Sequence, residues 1–242
     1  MRIMAPVLLL AFDTATPAVT VALHDGDSVI ARYTEVDARR HGELLAPGIV
    51  RVLAEAGRDR TDLTDIAVGV GPGPFTGLRV GLVTAVSLGD ALDLPVHGFC
   101  TLDVLAAQAS AEGLGDPPGG RFAVATDARR KEVYWAAYQD RAPGPGGFAD
   151  PVRTEGPEVD RPQAVAGEVA GLPVAGEGPA KYPEHFPRAT GPLLPSAAVL
   201  AALAVTRLRE GGELLPPHPL YLRRPDAVEP VGQKPVSSPS LR

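Results

Sequence analysis

Apolar residues run unbroken from Val7 to Phe12, and beyond the polar DTATPA a second run, VTVAL, spans Val19 to Leu23. Such runs predict strands buried on both faces, and Asp25-Gly26-Asp27 ahead of SVIARYTE predicts a hairpin turn into a third strand. In RRHGELLAPGIVRVLAEAG, Leu45, Ile49, Val52 and Ala56 share one helical face. Pro47 interrupts that segment; lacking an N–H to bond back one turn, it predicts a helix that starts near Ala46 or bends there. DIAVGV, Asp65 to Val70, reads as a buried strand, Leu78 to Leu92 as a helix and LPVHGF as a further strand. The order β-β-β-α-β-α-β gives an antiparallel meander extended by parallel strands, with helices covering the sheet.

Beyond Thr101, LDVLAAQASAEG is helix-like, and RFAVATDARRKEVYWAAYQ holds two strand-like runs about a charged turn, a candidate second copy of the meander. Gly and Pro are frequent from Arg141 to Pro162, which predicts irregular structure rather than another packed element. A short helix (Pro162 to Ala170), the strand-like LPVAG and an amphipathic helix from Ser196 to Glu210 follow. The tail from Pro216 is expected to be extended, and its last residues disordered. The expected organisation is an α/β chain of two lobes, residues 1–102 and 103–225, each a mixed sheet flanked by helices, with helix 196–210 packed back on the first lobe and a tail at 226–242. This element order is the repeat unit of actin-like ATPase (ASKHA, ribonuclease H-like) domains.

With 242 residues, 45% of them hydrophobic, the chain can bury a sizeable core. Its net charge of -6 is the wrong sign for holding nucleic acid alone, because Lys and Arg on phosphates supply most of that affinity. An RNA partner would therefore need another subunit for its main contact. Cys100 is the single cysteine, which rules out an internal disulfide and suits a reducing compartment. The apolar start IMAPVLLLAF runs straight into Asp13 without a clean small-x-small cleavage site, and its roughly ten residues fall short of the ~20 that cross a bilayer. A buried first strand in a soluble, cytoplasmic protein is the expectation, with no membrane partner.

GVGPGPFTGLRVG, Gly69 to Gly81, stands where a strand hands over to a helix. It fits neither G-x-x-x-x-G-K-[ST] nor G-x-G-x-x-G, and Pro72 and Pro74 remove two backbone donors, leaving Gly73, Phe75, Thr76 and Gly77 to supply N–H groups to an anion. Asp13, Thr14 and Thr16 form the best polar cluster for a nucleotide or Mg²⁺ contact; the other reading is a turn held by side chains that bond nearby backbone. Gly77, Gly81, Ala85 and Gly89 recur every fourth residue and form a ridge of small side chains, which either packs inside its own domain or lets another subunit approach closely. Arg129, Arg130 and Lys131 form a basic turn that meets an acidic partner or a phosphate, or is simply solvated. His24, His41, His97, His185 and His218 are scattered and Cys100 has no marked partner, so neither a metal site nor a catalytic constellation is expected.

FDTATPAVTVAL, GVGPGPFTGLRVG, PVHGFCTLDVLA, DARRKEVYWAAY and PLYLRRPDA together resemble the TsaB (YeaZ) family, in the same order and over most of the chain. TsaB is the bacterial partner protein in threonylcarbamoyladenosine (t6A) synthesis on tRNA. Related stretches occur in its paralogue TsaD, the catalytic subunit, which carries a metal-binding H-x-x-x-H pair just after the strand that follows this helix. Here that place reads PVHGFCTLDV, with His97 alone, and one ligand cannot hold and activate a metal. The resemblance implies a non-catalytic subunit that binds TsaD as a heterodimer, is joined by the ATPase TsaE, reaches tRNA only through the complex and forms a homodimer when alone. It leaves open ATP or ADP with Mg²⁺ at the partner interface and requires no cofactor of this chain. Leu45, Ile49, Val52, Gly77, Gly81, Ala85 and Gly89 are the expected interface; Asp13, Thr14, Thr16, Gly73 and Thr76 are the candidate nucleotide contacts. Two competing readings are a stand-alone actin-like ATPase or kinase using Asp13 and Thr14, and a metallopeptidase, an old label for the wider family.

Overall fold

A computed structural model describes residues 7–115, 119–143, 149–212 and 214–223. The expected tail at 226–242 and the first six residues of the chain lie outside the described residues. In order along the chain come β1 (Leu9–Asp13), β2 (Ala18–His24), β3 (Val29–Val36), α1 (His41–Glu55), β4 (Asp65–Gly69), α2 (Phe75–Leu92), β5 (Val96–Phe99) and α3 (Thr101–Ala111). Then follow β6 (Arg121–Asp127), β7 (Val133–Gln139), β8 (Val152–Asp160), α4 (Pro162–Glu168), β9 (Val174–Ala175), α5 (Glu177–Lys181) and α6 (Ala197–Glu210).

The first sheet has the strand order β3-β2-β1-β4-β5. β1 runs antiparallel to β2, with Phe12 opposite Val21, and parallel to β4, with Phe12 beside Val68. β1 can be apolar throughout because its alternating side chains serve two cores. Leu10 and Phe12 face α1 and α2, while Leu9 and Ala11 face α6 and one side of α3. α6 is anchored to this sheet at its start, where Ala197 N–H donates to Thr20 Oγ1 at 3.0 Å.

The second sheet, β8-β7-β6-β9, repeats the meander with one strand fewer. Its Phe122, Val124, Ala136 and Tyr138 pack on Leu102, Leu105 and Ala109 of α3, and its other face meets Val165 and Phe186. α3 thus serves both cores, and the expected lobe boundary at 102/103 falls in its first turn. A half-buried polar cluster ties the layers: Tyr138 donates to Asp103 Oδ1 at 2.8 Å, Arg153 approaches the same oxygen at 3.3 Å, and Arg207 of α6 grips Asp150 through two 2.8 Å bonds.

A helix start near Ala46 and an irregular Gly/Pro-rich stretch are corrected. α1 starts at His41 and continues through Pro47; Pro47 and Glu43 are both exposed, so the carbonyl left without a donor one turn back faces water. The Gly/Pro-rich stretch contains β8, which pairs antiparallel with β7 through register shifts. An edge strand tolerates Gly156 and Pro157 because it needs a ladder on one side only.

The small-residue ridge lies on the buried face of α2. A Cβ at Gly81 would stand 2.5 Å from Thr14 Oγ1, one at Gly77 would stand 2.6 Å from the Thr14 carbonyl oxygen, and one at Gly89 would stand 2.4 Å from a Val96 methyl. Ala85 is buried with them, and Leu45, Ile49 and Val52 lie in the core beneath α1. The expected interface is corrected accordingly: all seven residues are covered by the chain's own atoms, so the ridge packs inside its own domain. Replacing Gly81 by Val forces the helix off Thr14 and should cost about 1–3 kcal/mol, read as a lower urea midpoint; an unchanged midpoint would show that α2 has room that this geometry denies.

Candidate functional site

The end of β1, the β1–β2 turn, the β4–α2 loop and the start of α1 meet at one end of the central strands of the first sheet. Asp13 is 1% exposed. Its Oδ1 accepts the Ala15 N–H at 2.7 Å and its Oδ2 the Thr101 hydroxyl at 2.7 Å. Burial pushes this carboxyl above the usual range, opposed by those two donors and by the charge of His41. Thr14 Oγ1 donates to the Gly77 carbonyl at 2.8 Å and accepts the Gly81 N–H at 3.0 Å. Thr16 Oγ1 accepts the Ala18 N–H at 3.3 Å, and its carbonyl oxygen meets His41 Nε2 at 2.7 Å.

The structure therefore brings Asp13, Thr14 and Thr16 together, but as a turn whose side chains are spent on internal bonds. Gly73 is seated on the same turn, so closely that a Cβ there would lie 2.2 Å from the Ala15 carbonyl oxygen. Thr76 is exposed in the first turn of α2, which carries no side-chain cap. Beside it lies a cavity of about 230 Å³ lined by Thr14, Thr16, Arg39, His41, Thr76 and Arg129. Chemically this corner offers hydrogen-bond donors and positive charge to a small anion. It offers no outward carboxylate to a cation, and no group of three or more His, Cys, Asp or Glu side chains that could hold a metal ion occurs among the described residues.

Several partners escaped the sequence: Thr101 lies 88 positions from the carboxylate it bonds, and Arg39 and His41 stand just before and at the start of a helix expected to begin later. Arg129, expected in a basic turn that could meet a phosphate, comes to this corner from the second lobe. His41 was visible only as one of five scattered histidines. His97 bonds Asp65 through Nε2 at 2.9 Å. The Cys100 thiol is buried and pushed up to about 12 by that burial, which leaves it un-ionised and poorly nucleophilic at neutral pH.

Residues 29–176 match the family model described as TsaD: tRNA N6-adenosine threonylcarbamoyltransferase. An uncharacterized protein of Mycobacterium tuberculosis is 40% identical over 222 residues, 90% of this chain and 93% of its own length. The tRNA threonylcarbamoyladenosine biosynthesis protein TsaB of Escherichia coli is 33% identical over 227 residues, 89% of this chain and 94% of that protein. The solved structure of YeaZ from Pseudomonas aeruginosa superposes with a TM-score of 0.74 at 33% identity, over 89% of this chain and all of that one.

Removing the Asp13 carboxylate strands the Ala15 N–H and the Thr101 hydroxyl in the core, so Asp13→Ala should destabilise the fold by about 2–4 kcal/mol. Asp13→Asn should cost less, because burial already favours an uncharged group there. Chemical denaturation of both variants checks the order. Unchanged stability together with loss of an ATP hydrolysis activity would instead return Asp13 to a catalytic role.

Proposed function

The chain belongs to the TsaB (YeaZ) family of tRNA threonylcarbamoyladenosine biosynthesis proteins, and from that premise we propose that it performs no chemistry itself but binds TsaD and enables TsaD to modify tRNA. In this reading TsaD transfers threonylcarbamoyl from threonylcarbamoyl-adenylate to the adenosine beside the anticodon of ANN-decoding tRNAs. TsaE joins the pair, tRNA is reached through the complex, and the setting is the cytoplasm.

The observation that carries the reading is an apolar surface on the outer faces of the two helices whose inner faces fill the core. Val83 and Val86 of α2 are 59% and 38% exposed, and Val50 of α1 is 67% exposed. Arg79 and Asp90 continue the α2 stripe at helical spacing, giving an apolar centre with charged ends, as protein interfaces have. By length and composition α2 is apolar enough to cross a membrane. One third of the helix is buried inside this chain, and in this reading a partner subunit covers its exposed apolar residues. The same surface serves a homodimer when TsaD is absent, and a nucleotide with Mg²⁺ at the subunit interface belongs to this reading too.

The stand-alone ATPase reading is the weaker one, because the Asp13 carboxylate and the Thr14 and Thr16 hydroxyls are engaged within the chain.

Val83→Asp places a charge on the exposed stripe and should leave folding stability within roughly 0.5 kcal/mol. It should abolish co-elution with TsaD in size-exclusion chromatography and lower t6A formation in a mixture of this chain, TsaD, TsaE and tRNA. Co-elution and modification at the unaltered level would remove the outer face of α2 from the interface.

A further inference from the structure

Between the lobes lies a larger cleft of about 420 Å³ that shares Pro74 and Arg129 with the cavity beside Thr76, within the range of small-ligand sites. Three separate parts of the chain build it: Gly73 to Phe75 of the β4–α2 loop, Ala128 to Arg130 of the β6–β7 turn with Tyr134, and Tyr221 to Arg223 near the end of the described chain. The last segment reaches the cleft by crossing the edge of β5, where Leu215 bridges Gly98, and by donating its Leu220 N–H to the Val70 carbonyl at 2.8 Å.

Its chemistry is aromatic and cationic. Phe75 and Tyr221 stack with centroids 5.5 Å apart and remain 53% and 44% exposed. The Arg79 guanidinium lies 4.9 Å from the Phe75 centroid. Arg129, Arg130 and Arg223 line the same cleft. Arg129 gives Nη1 to Asp127 at 3.2 Å, and Arg223 gives Nη2 to Glu132 and to the Arg129 carbonyl oxygen. Each guanidinium has five N–H donors, so both keep donors beyond those bonds while the carboxylates hold the side chains in place. The turn that presents them is costly: Arg129, Arg130 and Lys131 sit at φ +62, +52 and +60, left-handed values that residues with a Cβ adopt singly, not in a row.

We infer that this interlobe cleft binds a nucleoside phosphate unit, its base stacked against the Tyr221–Phe75 pair and its phosphate held by the arginines of the β6–β7 turn and Arg223. A ring-free anion would leave the exposed aromatic pair unused, and an uncharged aromatic would leave the arginines unused. A nucleotide engages both, as the stacking platforms and basic grooves of nucleic-acid-binding proteins do. Neither Asp13 nor Thr14 takes part. The unit comes either as a free mononucleotide or as one residue of an RNA strand. The RNA source rests on the function proposed above; the free-nucleotide source stands without it.

The test is titration of the full chain, alone, with AMP, ADP and a single-stranded RNA of about ten nucleotides, followed by calorimetry or fluorescence. Saturable binding is expected, weakened about tenfold by Tyr221→Leu, which keeps apolar bulk without a ring, and by Arg223→Gln. Val152→Ser, on the exposed edge strand, should bind as the unaltered chain does, and thermal melting of each variant separates lost contact from lost fold. Tighter binding of the mononucleotides identifies a free ligand; tighter binding of the RNA, with steep salt dependence, identifies a strand. If nothing saturates in the low millimolar range, or if folded Tyr221→Leu and Arg223→Gln bind as the unaltered chain does, the inference is overturned. The outcome is independent of co-elution with TsaD, so either reading can fail without the other.

Discussion

The seating of α2 on the β1–β2 turn through one hydroxyl sets the geometry of the first lobe. Thr14 Oγ1 donates to the Gly77 carbonyl and accepts the Gly81 N–H, so a single side chain stitches two backbone positions of a helix to the end of the central strand. The contact is possible only where the helix has no Cβ to keep it away. Gly81 in a helix costs about 0.5–1 kcal/mol relative to alanine, and the buried bonds it admits offset that cost. One residue earlier, Asp13 holds the start of α3 through Thr101. The end of β1 thus fixes the helix that covers one face of the first sheet and the helix that passes to the second lobe.

This arrangement decides what the corner can do. An acidic residue and two hydroxyls at the end of the first strand look, as a list, like equipment for a phosphate and a metal ion. In the fold the carboxylate is buried with both oxygens engaged, the Thr14 hydroxyl is tied to α2 and the Thr16 hydroxyl accepts a bond within the turn. What remains outward is the opposite in character: the apolar stripe of α2, the exposed Val50 of α1, and guanidinium groups around the cleft. Rigid inner packing and an apolar outer face are compatible because a helix presents different residues every 100° or so, and α2 uses both sides.

Most of the element order was legible because buried strands leave unbroken apolar runs and core helices leave a 3.6-residue period. Leu9 to Asp13 and the α1 positions Leu45, Ile49 and Val52 are of this kind. The ridge of Gly77, Gly81, Ala85 and Gly89 was equally visible, but periodicity says that a face is small and not what lies against it; that the neighbour is Thr14 of the same chain depends on tertiary geometry. β8 was hidden because an edge strand needs few of the signals that mark a central one, and its Gly156-Pro157 pair argues for a loop. The partners Thr101 and Tyr221 carried no local signal, since each is brought in from far along the chain, and the basic turn of Arg129 was visible as a charge cluster without its place in the fold. The PLYLRRPDA stretch was informative only as a family resemblance, although in the fold its Leu220 N–H bonds Val70 of the first lobe and its Arg223 bonds Glu132 of the second.

That link explains how the left-handed turn of the second lobe persists. Each of its three non-glycine residues carries a conformational cost of about 1–2 kcal/mol, and the bonds within the hairpin, Ala128 N–H to Glu132 O and Glu132 N–H to Arg129 O at 3.0 Å each, would also form in a cheaper turn. Contacts from outside the hairpin favour this shape. Lys181 of α5 bonds Asp127, and Arg223 joins Glu132 to the Arg129 carbonyl oxygen. Arg223 is in turn fixed by a segment whose N–H groups are bonded to β5 and to the start of the β4–α2 loop. The conformation of the basic turn is therefore coupled through the terminal segment to the loop that launches α2, and the two sides of the interlobe cleft are set by one continuous run of hydrogen bonds rather than by each lobe alone.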